Sequence, residues 1–97
     1  MKTNDDSPFP KRLKEARKAK GLSQKKLGIL AGMDEFAASA RMNQYEKGVH
    51  APDFKTVKAL AHILEVPTAF LYCIEDKLAE KILELHLICF KVDSTKN

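Results

Sequence analysis

The sequence is poor in cysteine and in long apolar runs. It has two cysteines in 97 residues, and both lie among apolar neighbours. Because the chain does not begin with a secretory signal, we expect Cys73 and Cys89 to be reduced, buried thiols of a cytoplasmic protein. The longest nearly apolar stretches, AFLYCI and LHLICF, are far shorter than the ~20 residues that a membrane span needs. These shortages argue against a disulfide-stapled secreted domain and against a membrane protein.

Sequence signatures of catalysis and metal binding are also missing. The sequence shows no phosphate-binding loop, no paired carboxylates in a plausible cleft, and no nucleophile with a base and an orienting group. The three histidines are scattered; His86 and Cys89 are three residues apart, but no second ligand pair accompanies them. A tetrahedral site recruits four ligands. We therefore expect neither an enzyme nor a metal or other cofactor.

The charge balance permits a nucleic acid as partner. Seventeen Lys and Arg residues against thirteen Asp and Glu residues give a net charge of +4, and the basic residues are concentrated in the front half of the chain. A moderate basic excess is compatible with nucleic-acid binding without proving it. The length suits a single domain with a core of its own.

Apolar residues recur at helical spacing, and no run alternates over the length of a strand. The sequence therefore predicts an all-α protein: a five-helix domain over residues 9–72, an extended C-terminal helix over 73–92, and flexible tails at 1–8 and 93–97. Ser23 and Asp53 are predicted helix caps, and Gly21 a helix stop. Within the third helix we expect Phe36, Met42 and Tyr45 to point inward.

The second predicted helix, Ser23 to Ala31, carries two positive charges where they do not stabilise it. Lys25 and Lys26 stand in its first turn, and a helix N-terminus already has partial positive charge from its unpaired N–H groups. This placement favours a negative group that arrives from outside, such as a nucleic-acid phosphate.

Three segments in order, GLSQKKLGILAG, NQYEKG and PDFKTVKALAHILEVP, resemble the helix-turn-helix domain of the phage repressor and Cro family, also called the XRE family, over residues 9–72. The resemblance implies that Gln24 holds a DNA phosphate, with Lys25 and Lys26 adding charge. It also implies a buried structural ion pair between Arg17 and Glu46. Here the segment between Gln24 and Glu46 is about four residues longer than usual, since the turn normally has 3–4 residues.

The extra residues lie in MDEFAASA, and two interpretations are open. Either the turn between the helices is larger, or the third helix begins a turn earlier with Asp34 as its cap. We favour the second, because EFAASARMNQYEK has no Gly or Pro and is rich in helix formers. Counted back from Glu46, the family's base-reading positions fall on Ser39, Ala40, Arg41, Asn43 and Gln44.

The chemistry of these side chains suits base recognition. Arg41 is able to donate two hydrogen bonds to the edge of guanine, and Asn43 or Gln44 is able to form two hydrogen bonds with adenine. Ala40 is able to contact a thymine methyl group. Further phosphate contacts are expected from residues near the end of the third helix and the start of the fourth: Lys47, His50 and Lys55.

The function expected from the resemblance is that of a sequence-specific transcriptional regulator, a repressor that binds a two-fold site on double-stranded DNA as a homodimer. The dimer contact is assigned to a stripe on the C-terminal helix: Leu78, Ile82, Leu85 and Cys89. The alternative is an antitoxin or another protein-interaction module, whose C-terminal helix binds a protein partner such as a toxin. A phage repressor, a restriction-modification controller and an antitoxin are not separable from these residues.

Overall fold

The computed structural model describes the backbone of residues 7–96 and the side chains of residues 7–89. Over this range the chain forms six helices and no strand, which confirms the predicted all-α fold of five helices and an extended C-terminal helix. The helices are α1 (Phe9–Ala19), α2 (Gln24–Leu30), α3 (Ala38–Glu46), α4 (Phe54–Leu64), α5 (Thr68–Leu71) and α6 (Asp76–Lys96).

The ends of the early helices follow from single residues. Gly21 takes a φ of +74°, a conformation that suits glycine, and so allows the chain to leave α1. Two residues later the Ser23 hydroxyl accepts a hydrogen bond of 3.0 Å from the Lys26 N–H and caps α2. The Asp53 carboxylate caps α4 in the same way, at 2.9 Å from the Thr56 N–H. The predicted stop at Gly21 and both predicted caps are confirmed.

The core lies where α1, α2, α3, α4 and α5 meet. Its fully buried side chains come from all five of these helices and include Leu13, Leu27, Met42, Leu60 and Leu71. Burial of one such side chain stabilises the fold by about 1.5–3 kcal/mol. Helices as short as α2 and α5 are not stable alone, so they depend on this shared core.

The start of α3 differs from the prediction. The helix begins at Ala38, not near Asp34, and residues 31–37 form a long turn between α2 and α3. Within the turn, the Asp34 carboxylate accepts from the Phe36 N–H at 3.0 Å, and the Asp34 carbonyl accepts from the Ala37 N–H at 3.0 Å. These local bonds offer the backbone an alternative to helix, as Asp often does, and they outweigh the helix propensity of the segment. The larger turn is therefore the correct interpretation.

The prediction for Phe36 is also wrong, whereas those for its two companions are confirmed. Met42 and Tyr45 are buried, but the Phe36 side chain is 91% exposed. Since Phe36 lies in the turn instead of the helix, it does not share the inward face that Met42 and Tyr45 occupy.

The C-terminal helix is displaced from its predicted bounds. α6 begins at Asp76, not at 73, and continues to Lys96, so residues 93–96 belong to it and not to a tail. Residues 1–6 of the predicted N-terminal tail and residue 97 lie outside the described residues. Early in α6, Ala79 is buried and Ile82 and Leu83 pack against the core. After these residues the side chains of Leu85, Leu87, Ile88 and Cys89 are exposed.

The two cysteines are both free thiols, but only one is buried. Cys73 is in the core, whereas Cys89 is exposed on α6, which corrects the expectation that both are buried. In the described part of the chain, no helix combines the length and the hydropathy needed to cross a membrane.

Candidate nucleic-acid interface

The outer face of α3 carries the predicted base-contacting residues. With 100° of rotation per residue, the buried Ala38, Met42 and Tyr45 define the inner side of the helix. Directly opposite them lie Ala40 and Lys47, flanked by Asn43 and Gln44, whereas Ser39 and Arg41 lie nearer the sides. All six are exposed except Asn43, which is half-buried. Arg41 borders a small concavity between the long turn and the start of α4.

Close packing holds the start of α3 against α2. A Cβ atom placed on Gly28 would lie 2.8 Å from the Cβ of Ala38, a distance at which neighbouring atoms must move. Only a glycine at position 28 allows this approach. The N-terminal end of α3 is thus fixed by backbone contact, while Met42 and Tyr45 secure the rest of the helix in the core.

A bidentate ion pair joins α1 to the end of α3. The Arg17 Nε and Nη2 atoms donate to the two Glu46 carboxylate oxygens, at 2.6 and 3.0 Å. The side chains are only 12% and 3% exposed, and the Arg17 Nη1 atom also donates to the Leu22 carbonyl at 2.9 Å. The hydrogen bonds to Glu46 raise the pKa of Arg17 above its ordinary value. These are the two residues that the family resemblance pairs, and their burial makes the pair structural.

The same carboxylate also receives Gln24, the first residue of α2. The Gln24 Nε2 atom donates to Glu46 Oε1 at 3.1 Å and to the Asn43 Oδ1 atom at 3.3 Å. The structure therefore places the side chain of Gln24, the predicted phosphate ligand, in a network with the ion pair and with one predicted base-contacting residue. No sequence signal indicated this contact, because it joins residues of α2 and α3 that meet only in the folded chain.

The basic side chains that are predicted to contact phosphates are all exposed. Lys25 and Lys26 are exposed in the first turn of α2. Lys47 at the end of α3, His50 in the following loop and Lys55 in the first turn of α4 are exposed as well. Lys25, Lys26 and Lys55 thus stand at the N-termini of α2 and α4, where backbone N–H groups attract anions.

One buried charge, Arg12, was not predicted from the sequence. This side chain is 4% exposed; it donates to the Cys73 carbonyl at 2.9 Å, to the Ile74 carbonyl at 3.3 Å and to the Asp76 carboxylate at 2.9 Å. Burial lowers the pKa of Arg12, but the hydrogen bonds that Arg12 donates to Asp76 and Glu15 outweigh this effect and leave the pKa raised. Arg12 thus ties α1 to the start of α6. Its place on the apolar stripe of α1, three residues after Phe9 and four before Ala16, was the available signal.

The four residues of the predicted dimer stripe on α6 differ in exposure: some face solvent and one packs on the domain. Leu78 is 51% exposed and Leu85 60% exposed, and Cys89 is exposed. Ile82 instead packs partly against the core. Three of the four residues are therefore accessible on one side of the helix, and Leu87 and Ile88 add further exposed apolar surface.

A metal site and the concavity between α1 and α6 are the other candidate sites, and the structure supports each of them less than the α3 face. Among the described residues, no group of three or more His, Cys, Asp or Glu side chains comes together as metal ligands would. A concavity of about 530 Å³ lies between α1 and α6, and charged side chains line its rim. Several of these charges are already paired with one another, including Lys20 with Glu65 and Lys11 with Asp76.

Comparison with solved structures gives a match that extends over nearly the whole chain. The crystal structure of the transcriptional regulator BswR shares 53% sequence identity with this chain, with a TM-score of 0.80, and the match covers 91% of this chain and 89% of that one. No protein-family model and no curated protein matches the chain. Identity of this degree over both chains means that the two proteins share one fold.

Proposed function

The chain belongs to the family of the transcriptional regulator BswR, and on this premise we propose that it is a transcriptional regulator that binds specific sequences of double-stranded DNA. The observation that carries the proposal is the outer face of α3, which is exposed and polar and is held by a buried ion pair, a close helix contact and the core. A rigid helix with polar side chains on its outer face is what reading of the major groove requires.

Base contacts are assigned to the outer and lateral positions of α3. Asn43 and Gln44 are amides that hydrogen-bond to base edges, Arg41 suits guanine, and Ser39 and Ala40 lie nearest the N-terminal end of the helix, the end that enters the groove in helix-turn-helix proteins. Phosphate contacts are assigned to the exposed Lys25, Lys26, Lys47, His50 and Lys55.

We assign the protein a repressor role in which it occupies a two-fold site as a homodimer. Two copies of α3 then enter the groove about 34 Å apart, or a multiple of that distance. The exposed α6 stripe of Leu78, Leu85 and Cys89 supports this assembly, because it offers apolar surface on one side of the helix that a second copy is able to cover. Transcription from a template that carries the site is expected to fall when the protein is added.

Selection from random DNA tests sequence recognition. We expect an enriched motif with two-fold symmetry, and binding to it that weakens steeply with salt, since each phosphate contact contributes a slope of about −0.9 in log K against log salt. Lys25→Ala is expected to weaken binding to all sequences alike and to reduce the slope by about one. Selection that enriches no motif would contradict the proposal.

Light scattering tests the assembly. Leu78→Glu with Leu85→Glu places two charges on the proposed contact, and we expect it to convert a dimer to a monomer. The matched control is Leu87→Glu, which is as exposed but lies about half a turn away on α6. A doubly substituted protein that remains dimeric would show that the stripe is not the interface.

A second candidate function is a protein-interaction module, such as an antitoxin that binds a toxin through α6. The exposed apolar side chains of this helix, Leu78, Leu85, Leu87 and Ile88, favour it. Salt separates the two functions, because binding through an apolar helix face does not weaken steeply as salt is raised, whereas phosphate-driven binding does.

A further inference from the structure

We propose that Phe36, in the long turn before α3, is a specificity-determining residue that contacts the C5-methyl group of a thymine in the major groove. The assignment rests on the proposed function and adds to it a base contact that comes from outside α3. Phe36 is not among the base-reading positions that the family resemblance implies. The partner assigned to its side chain is double-stranded DNA.

Phe36 is the most exposed large apolar residue in the part of the chain that the structure describes. It is 91% exposed, whereas the next, Phe54, is 64% exposed. Single exposed apolar side chains are common on protein surfaces, so exposure alone assigns no role to Phe36. Its place relative to α3 does.

The end of the long turn winds in the same sense as the helix that follows it. The Ala37 N–H donates to the Asp34 carbonyl at 3.0 Å, a bond of the i to i+3 type. The Arg41 N–H in turn donates to the Ala37 carbonyl at 2.9 Å, and Ala37 has right-handed helical φ and ψ of −105° and −14°. The Asp34 carboxylate also accepts from the Phe36 N–H at 3.0 Å. These bonds fix the backbone at Phe36.

A shared concavity supports a single rotation through the turn and α3. Four of the residues that line it are spaced by three or four along the chain, as residues on one side of a helix are: Asp34, Ala37, Arg41 and Tyr45. Phe36 stands two residues before the buried Ala38, so at 100° per residue it lies about 160° from it around the axis. Phe36 is therefore on the outer side of α3.

At this place Phe36 extends the proposed base-contacting face by one turn. It precedes Ala40 by four residues, or about 6 Å along the axis, which is nearly two base-pair steps. This is the N-terminal end of α3, the end that enters the major groove in helix-turn-helix proteins. The acidic neighbours, which DNA repels, are rotated away from Phe36, Glu35 by about 100° and Asp34 by about 160°.

The chemistry of the phenyl ring selects one group in the groove. The ring has no charge for a phosphate and no hydrogen-bonding group for the polar atoms of a base edge, and the thymine C5-methyl is the apolar group that base pairs present there. Uracil lacks only this methyl group. Replacement of thymidine by deoxyuridine therefore removes the proposed contact and keeps every hydrogen-bonding atom of the base pair.

Selection from random DNA with the full chain, followed by replacement of each thymidine of the motif by deoxyuridine, tests the inference. We expect the wild type to lose about fourfold in affinity at a thymine within two base pairs of those that Ser39 and Ala40 contact, the effect of one buried methyl-sized group. Phe36→Ala is expected to bind the thymine and uracil sites equally at this position and to keep the rest of the motif. Phe36→Leu, which retains an apolar side chain, is expected to keep the difference.

Phe54→Ala is the matched control, because it removes the other strongly exposed phenylalanine, which lies at the start of α4. It is expected to leave the difference between thymine and uracil as in the wild type. A thymine whose methyl group contacts Ala40 is expected to remain sensitive to the exchange in Phe36→Ala, so the two methyl contacts are separable.

Two results would overturn the inference. One is a Phe36→Ala protein, folded by thermal melting, that keeps every difference between thymine and uracil; the exposed ring would then be left to a protein partner. The other is a wild-type motif in which no thymine loses affinity on exchange for uracil, a measurement that needs no variant. Failure of the proposed function gives a different result, because the wild-type chain itself would then select no sequence.

Discussion

Substitution of Arg17 by methionine tests the ion pair that joins α1 to α3. Methionine keeps much of the apolar stem of arginine but leaves the Glu46 carboxylate, which is 3% exposed, with Gln24 as its remaining partner in the network. Removal of one partner of a buried pair costs about 3–5 kcal/mol, because the other charge stays buried without compensation. A small domain has roughly 5–15 kcal/mol of stability, so the substitution is expected to remove a large part of it.

Urea denaturation followed by circular dichroism measures this loss. With a dependence of about 1.5 kcal/mol per M urea, a loss of 3 kcal/mol lowers the midpoint by about 2 M. The control is Lys81→Met, which breaks an exposed pair with Glu84 and is expected to change stability by less than about 0.5 kcal/mol. The double variant Arg17→Met, Glu46→Leu is expected to be more stable than Arg17→Met alone, since no buried charge remains. A loss below about 1 kcal/mol for Arg17→Met would refute the reasoning.

Three further predictions concern packing, pH and the long turn. Gly28→Ala places a Cβ atom 2.8 Å from the Cβ of Ala38 and is expected to lower the free energy of unfolding by about 1–3 kcal/mol; an unchanged urea midpoint would contradict the close packing of α2 on α3. Hydrogen bonds from Arg12 and Lys11 hold the pKa of Asp76 below its ordinary value of 3.8. The ionised Asp76 side chain therefore adds to the free energy of unfolding above pH 3.8, and this addition is lost as the pH falls through the lower pKa of the folded state. Thermal melts of Asp76→Asn are therefore expected to show a smaller loss of stability than the wild type as the solution is acidified below about pH 4, and an identical acid profile would be inconsistent with this. Phe36→Ser is expected to change stability by less than about 0.5 kcal/mol, whereas Met42→Ala is expected to cost about 2–5 kcal/mol; comparable losses in urea would mean that Phe36 is not exposed in solution.

Local rules predicted most of the helix ends correctly. The cap at Ser23, the cap at Asp53 and the stop at Gly21 depend on side chains and backbone freedom within a few residues, so a single stretch of sequence contains what is needed. Apolar spacing likewise predicted the buried positions of α3 correctly at Met42 and Tyr45.

The long turn shows where local rules fail. Helix propensity favoured an early start of α3 at Asp34, yet the residue is in a turn stabilised by its own carboxylate and carbonyl. Propensity differences amount to a few tenths of a kcal/mol per residue, and the contact of Gly28 with Ala38, which sets where the two helices meet, is a tertiary feature. For the same reason Phe36 was assigned to the interior although it is exposed.

The sequence by itself determined the all-helical class, the capped and glycine-terminated helix ends, and the positions on α3 that face outward, because each of these depends on spacing and on side chains close together in the chain. Only the tertiary structure decided the length of the turn before α3, the anchoring of α6 through Arg12, and the orientation of the Gln24 and Asn43 amides. The turn length depends on where Gly28 meets Ala38 as well as on the local bonds of Asp34. The other two depend on groups distant in sequence, and a hydrogen bond acquires its direction only when donor and acceptor have been brought within about 3 Å.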